Sequence, residues 1–445
     1  MTEEMGQEQG VGGAPAAPVK TPWGDVDSLR ERRLRPGQRL PRKEVKSNQR
    51  ARLFAAMVAV CSEKSYEATR VADLLELSGV SRKAFYELFD DKRACMLAAV
   101  HALISPAVEA IAATDDVGGS EERARQAFEA FIRLIVDQAP AAKMCFVEVF
   151  AAGAGGADEF DRATDAFLEL SLKMLRNTPG RAKLPPEIVR AMLGGARKVI
   201  QTRLYLGNEA ELVDLSPDLW AWAMSYTPPP EPLRPPRERA RKSPAGLDGY
   251  DPVERILRAL ASVVAEKGYP QMTVSDVAER ASISLSTFYS HFADKEEAML
   301  AAVDSGSAQM LATTLPAFRR APDWPHAVRG AYGAMFAFCA AEPDYTTLGA
   351  IDVYAAGRKA MEQRDGVMKG MEALLIPGYE RNPDVSPVAG EAIGGAIYSM
   401  INDRIKQHGA ASLQGIAPLA TYVTLAPFVG PEEACEVANG DGRGS

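Results

Sequence analysis

Histidine is scarce in this chain, cysteine is sparse and scattered, and long apolar runs are missing. The four histidines (His101, His291, His326, His408) lie far apart. None stands in an HExxH spacing or beside paired carboxylates, so no catalytic or zinc chemistry is expected of them. The five cysteines (Cys61, Cys95, Cys145, Cys339, Cys435) never adopt a CxxC spacing. They read as buried small apolar groups or free thiols, not as disulfides or a metal site. GxSxG and GxxxxGK[ST] loops are missing, and the GAGG at 153–156 has no strand before it. The expectation is no enzyme and no cofactor. With no apolar run of 18 residues, no membrane-spanning helix is expected. The N-terminal MTEEMGQEQGVGGAPAAP lacks the basic and apolar regions of a secretory signal, which makes the cytoplasm the expected compartment.

What the chain does have is length, uneven charge and a repeat. Its 445 residues exceed the size at which one core stops growing, so several domains are expected. The net charge is −8, which taken alone disfavours nucleic acid. Its distribution matters more. Residues 20–52 hold eleven Lys/Arg against four Asp/Glu, a local surplus of +7. A second basic cluster (Arg234, Arg237, Arg239, Arg241, Lys242) sits in the proline-rich stretch TPPPEPLRPPRERARKSP at 227–244. Each cluster precedes one copy of a repeated motif, a placement suited to phosphate contact.

The repeat is TVSDVAERASISLSTFYSHFADKE at Thr273–Glu296 and RVADLLELSGVSRKAFYELFDDKR at Arg70–Arg93, 203 residues apart. Across 63–100 and 266–303, 17 of 38 positions are identical without a gap. Each copy follows an amphipathic helix predicted to begin near Lys46–Arg50 in the first copy and to end before Ser65-Tyr66. Its stripe is Leu53, Met57 and Val60, with Ile256, Leu260 and Val263 in the second copy. A short helix, a turn (at Ala281–Ser282 in the second copy) and a third helix N-capped by Ser81 or Ser284 follow, at 71–90 and 274–293. Thr273 with Asp276 forms a capping-box-like pair, whereas the first copy has Arg70 there and is less well capped. Phe85, Phe89, Phe288 and Phe292 face the core, while Tyr86 and Tyr289 stand one residue off that stripe. A fourth helix starts at Asp91 or Asp294. Three helices around such a turn make a helix-turn-helix head. Downstream, both halves are helical with breaks at Gly and Pro, and fainter matches recur at offsets of 200–204, such as AMLGGA at 191–196 against AIGGA at 392–396.

These motifs resemble the N-terminal signature of the TetR family of bacterial transcription regulators, strongly over two stretches of about 50 residues. The resemblance implies an all-α fold of two tandem TetR-like units. Each would have a helix-turn-helix head and a helical body that mediates dimerisation and often holds an effector pocket. The expected layout is a disordered basic arm at 1–45, a head at 46–105, a body at 106–226 and a linker at 227–250. A head at 251–310, a body at 311–429 and a loose tail at 430–445 complete it. The function implied is sequence-specific DNA binding, as a repressor. Partners would be double-stranded DNA and a small-molecule effector, in a homodimer or an intramolecular pseudo-dimer. A helical ligand-sensing or interaction protein in which only the second head, or neither, binds DNA is the alternative. Candidate DNA contacts in the second head are Thr273, Ser284, Leu285, Ser286, Thr287, Tyr289, His291 and Lys295. In the first they are Arg70, Ser81, Arg82, Lys83, Ala84, Tyr86 and Lys92. Leu285, Ser286 and Thr287 suit thymine methyls and shape, whereas Arg82 can grip guanine with two hydrogen bonds. Unlike heads imply an operator that is not a simple palindrome. No effector-binding residue is nominated, because aromatics such as Phe150, Tyr332 and Tyr345 at helical spacing are more often core.

Overall fold

The structure, a computed structural model, describes residues 19–34, 40–112, 121–236, 247–354, 356 and 358–440. Among these residues the regular structure is helical, with no strand, as the sequence predicts. Two compact units meet at Met96–Leu97. This division falls inside the continuous helix that leaves the first head.

The first unit is a head of α1 (Arg42–Ala68), α2 (Val71–Ser78), α3 (Arg82–Tyr86) and the start of α4 (Lys92–Ala112). Leu53, Met57, Leu74, Phe85 and Met96 are fully buried and Phe89 nearly so. α1 begins earlier than its apolar stripe suggested. The helical run breaks at Ser65, whose φ is 70°, where the sequence placed its end. The arm expected to be disordered is seated over residues 19–34. Leu29 is fully buried, Trp23 packs on Phe54 with ring centroids 5.1 Å apart, and Val26–Ser28 form a turn of 3-10 helix. The apolar spacing Trp23, Val26, Leu29 supplies the stripe, and burying such side chains contributes about 1.5–3 kcal/mol each. Residues 1–18 and 35–39 lie outside the described residues.

The second unit holds the first body, the second head and the second body. The first body comprises α5 (Glu121–Asp137), α6 (Ala139–Phe146), α7 (Ala154–Leu175), α8 (Pro186–Leu206) and α9 (Glu211–Met224). The second head is α10 (Pro252–Lys267), α11 (Val274–Ala281), α12 (Leu285–His291) and the start of α13 (Lys295–Arg319). The second body adds α14 (Trp324–Ala341), α15 (Pro343–Ala350), α16 (Arg358–Glu372), α17 (Ile376–Arg381), α18 (Val388–His408), α19 (Ala417–Val429) and α20 (Pro431–Asn439). Helix starts in the two halves differ by about the repeat offset, as Glu121 and Trp324 or Pro186 and Val388 show.

One expectation is corrected here, and two further segments are placed. The C-terminal stretch is not loose up to residue 440. It folds as α20, with Ala434, Cys435, Val437 and Ala438 buried. The linker is not free where it is described. The Arg234 N–H donates to Asn439 Oδ1 (2.8 Å) and Asn439 Nδ2 donates to Pro232 O (3.2 Å), so α20 fastens it. Its remaining arginines and lysine (Arg237, Arg239, Arg241, Lys242) lie outside the described residues. Finally, Ala410–Val429 is long and apolar enough by composition to cross a membrane. It is 67% buried in the body and changes from 3-10 to α-helix at Ile416–Ala417, as a core segment does.

The two bodies meet along α8 and α18, where small residues let the backbones close. A Cβ on Gly194 would stand 2.4 Å from Ser399 Cβ, and one on Gly395 would stand 2.3 Å from Lys198 Cβ. These contacts are reciprocal: each glycine faces the residue four positions beyond its counterpart. A second reciprocal pair lies beyond α9. Tyr226 Oη donates to Val423 O and Tyr422 Oη donates to Thr227 O, both at 2.8 Å. Each tyrosine thus bonds the residue that follows the other, which is the pattern of a two-fold contact.

Candidate nucleic-acid interface

In the second head, Thr273 caps α11. Its Oγ1 accepts from Asp276 N (3.2 Å), while Asp276 Oδ2 accepts from Thr273 N (3.0 Å). The Lys267 ammonium at 2.7 Å and the Thr273 hydrogen bonds hold the Asp276 carboxyl down at about 2. α11 stops at Ser282, which adopts the left-handed conformation (φ 53°) where the first head uses Gly79 (φ 62°). The serine tolerates a strained position that costs glycine nothing. Ser284 then caps α12, accepting from Thr287 N at 3.0 Å. Phe288 and Phe292 turn inward, which leaves Leu285 (46% exposed), Ser286, Tyr289 (56%) and His291 on the open face, with Thr287 half-buried beside them. The structure therefore brings Leu285, Ser286, Thr287, Tyr289 and His291 to one short helix at the protein surface.

The first head repeats this with chemical differences. Ser81 caps α3 through Ala84 N (3.2 Å), and Arg82, Lys83 and Tyr86 are exposed, with the Arg82 guanidinium 5.8 Å from the Tyr86 ring centre. α3 spans five residues against seven in α12. Arg70 offers α2 no side-chain acceptor, and only the Asp73 half of the box forms (2.8 Å to Arg70 N).

Two nominated residues have other employment. Lys92 Nζ donates to the carbonyls of Tyr66 (3.0 Å), Glu67 (3.2 Å) and Thr69 (2.9 Å), and lies 4.4 Å from the Tyr66 ring centre. An ammonium has three donors, so Lys92 is spent as a clamp on the α1–α2 turn. Lys295 makes the same contacts more loosely, at 3.3 Å to Met272 O and 3.5 Å to Tyr269 O. A charge at a helix N-terminus does not by itself mark a phosphate site. Here the neighbouring turn's carbonyls relieve it.

Sequence reasoning missed the arginines that brace each turn. Arg52 Nη1 donates to Ser78 O (2.9 Å), and Arg255 donates to Ala281 O and to Ser282 O (3.0 Å). Both stand at the repeat offset of 203, which was the available signal. In the first head, Arg30 also reaches Glu76 O (2.9 Å) and Arg33 reaches Gly79 O (2.5 Å). These two basic residues of the arm hold the turn.

The family model for bacterial regulatory proteins of the tetR family matches residues 53–99 and 256–303, the two heads just described. The chain is a transcription regulator with two tetR-family DNA-binding domains. No curated protein matches it. Among solved structures it is similar to the fatty acid degradation regulator FadR of Bacillus halodurans, at 19% identity and a TM-score of 0.36, covering 39% of this chain and 97% of that one. It is also similar to FadR of Bacillus subtilis in complex with stearoyl-CoA, at 15% identity and a TM-score of 0.34, covering 40% and 98%. The tetR-family regulator PfmR of Thermus thermophilus is 24% identical, with a TM-score of 0.33, covering 40% and 95%.

Behind the second tetR-type head lies a cavity of about 210 Å³ within the body that follows it. Its walls are mostly apolar and rich in methionine (Met310, Met335, Met368, Met371), with Tyr332, Tyr345 and Arg364 among the polar groups. Arg364 Nη1 donates to Tyr398 Oη (2.9 Å) and also binds Asp365 (2.7 Å). Tyr345 also touches the head: its hydroxyl lies 3.4 Å from Glu254 Oε1, and the Arg258 guanidinium stands 5.5 Å from its ring centre. Arg258 in turn pairs with Glu254 and with Glu342 of the body, both at 2.8 Å. Sequence periodicity could not separate cavity walls such as Tyr332 from core such as Phe336, since both lie on α14. All five cysteines are buried and free, and burial pushes the Cys95 and Cys145 thiols up to about 12.

Proposed function

We propose that the chain is a self-contained repressor whose two halves pair with each other, as two chains do in a homodimer, and whose unlike heads read one asymmetric operator. The observation that carries this reading is the reciprocal seam between the bodies: Gly194 with Gly395, and Tyr226 with Tyr422. Such contacts relate equivalent surfaces in symmetric dimers, and here both surfaces belong to one chain. The heads differ where bases would be met. Arg82, Lys83 and Ala84 stand in the first, against Leu285, Ser286 and Thr287 in the second. One half-site is then guanine-bearing, and the other is read through methyl groups and shape.

The effector in this reading is a largely apolar small molecule held in the cavity of the second body. Its coupling to DNA runs through Tyr345, which lines the cavity and contacts Glu254 and Arg258 on α10. An occupant that moves Tyr345 shifts the head only by its differential affinity for the two positions. Selection of bound sequences from random DNA with the intact chain tests the proposal. A site with two unlike halves supports it, and a perfect palindrome contradicts it.

A further inference from the structure

We infer that the seam between the bodies is coded by charge to pair unlike halves and to reject a like half from a second copy of the chain. The inference rests on the reading that the two halves pair within one chain.

The reciprocal glycine contacts set Gly194 opposite its counterpart Gly395, a local offset of 201. In that register position 190 corresponds to 391, 202 to 403 and 203 to 404. The two ends of the seam are then equivalent corners. At one, Arg203 Nη1 meets Glu391 Oε2 at 2.5 Å, with each side chain 17% exposed. At the other, Arg190 Nε stands 3.8 Å from Asp403 Oδ2, an ion pair without a hydrogen bond. The equivalent positions 190 and 391 thus carry opposite charges. So do the groups they meet.

Two copies of the first half in this geometry would set Arg190 against Arg203 at both corners. Two copies of the second half would set Glu391 against Asp403 at both corners, because Arg404 is turned to the Ser412 carbonyl (3.3 Å). Only the unlike combination opposes charges at both ends. Local partners within each half do not supply this selectivity: Asp165 holds Arg190 (2.6 Å) and Glu211 holds Arg203 (3.4 Å) whichever half lies across the seam. Charges this far from water cost much more when opposed by like charge than surface charges do.

The test uses three variants of the full chain. One carries Glu391→Arg and Asp403→Arg, which sets positive against positive at both corners. Another carries Arg190→Glu and Arg203→Glu, which sets negative against negative at both. The third carries all four changes and restores opposite charges at both corners with the signs exchanged. Each two-residue variant is expected to melt roughly 3–6 °C below the wild type, and the four-residue variant within about 2 °C of it. Losses that add in the four-residue variant overturn the code, as does a two-residue variant that melts with the wild type. If a two-residue variant fails to fold, the four-residue variant still decides: a folded chain supports the code and an unfolded one overturns it. Light-scattering mass of the wild type separates this inference from the reading beneath it. A two-chain mass removes pairing within the chain, whereas additive losses at a single-chain mass remove the charge code alone.

Discussion

Replacing Gly195 by alanine sets two known effects against each other. In an open helix this change stabilises by about 1 kcal/mol, because glycine loses more backbone freedom on folding. At Gly195, however, the added Cβ would stand 2.5 Å from the Ala392 carbonyl oxygen across the seam and 2.3 Å from Trp222 Cη2. The first contact is backbone, and the second is the ring of a buried tryptophan. Neither can swing aside, so α8 and α18 must separate. Overpacking of this kind costs about 1–3 kcal/mol, and a backbone contact places it at the upper end. The net expectation is a loss of about 1–2 kcal/mol, or roughly 1–3 °C in melting temperature for a unit of this size. Gly333 on α14 is the internal control, since nothing lies within 4 Å of its Cβ position. Gly333→Ala should raise the melting temperature, and calorimetry on both variants reads the contrast. If Gly195→Ala stabilises as much as Gly333→Ala does, close approach along the seam is refuted.

Four further outcomes follow from the heads. Lys92→Met leaves three turn carbonyls without their donor and should destabilise the first head by about 1–3 kcal/mol, read by hydrogen exchange; a shallower salt dependence of DNA binding with unchanged stability would instead mark a phosphate contact. Arg82→Ala should relax preference at one base pair by about 1–3 kcal/mol, read by competition among single-base variants of the selected site, while Tyr289→Phe should weaken all sites alike by about 1 kcal/mol. The Asp276 carboxyl sits at about 2, below its ordinary value near 3.9, so its cap on α11 is fully present above about pH 4 and lost as pH falls toward 2. Asp276→Ala should remove that acid-range fall in the stability of the second head, and an unchanged pH profile of melting would contradict the assignment.

The heads were legible because their signals are local. Caps at Ser81, Thr273 and Ser284, core phenylalanines at helical spacing and a left-handed turn residue each act within a few positions. The repeat then supplied an internal comparison that made them hard to miss. The seam was legible only as a faint match, AMLGGA against AIGGA. A Gly-Gly pair in a helix says that something comes close, without saying what. Tyr226 and Tyr422 carried no sign of their partners, since contacts nearly two hundred residues apart have no local period. The contacts that Lys92 and Lys295 make with the turn were hidden for a related reason. The sequence placed them at helix N-termini, but the carbonyls that hold them come from a turn more than twenty residues earlier. The seated arm was hidden by composition: Gly, Pro and Arg around Trp23, Val26 and Leu29 masked a short apolar stripe.

The central claim is that one chain does the work of a dimer. The mass of the complex between the intact chain and a duplex carrying one selected site, measured by native mass spectrometry, tests it most directly. One chain per duplex, with both Arg82 and Tyr289 needed for full affinity, is the result expected. Two chains per duplex, or full affinity after loss of either head's contacts, would contradict it.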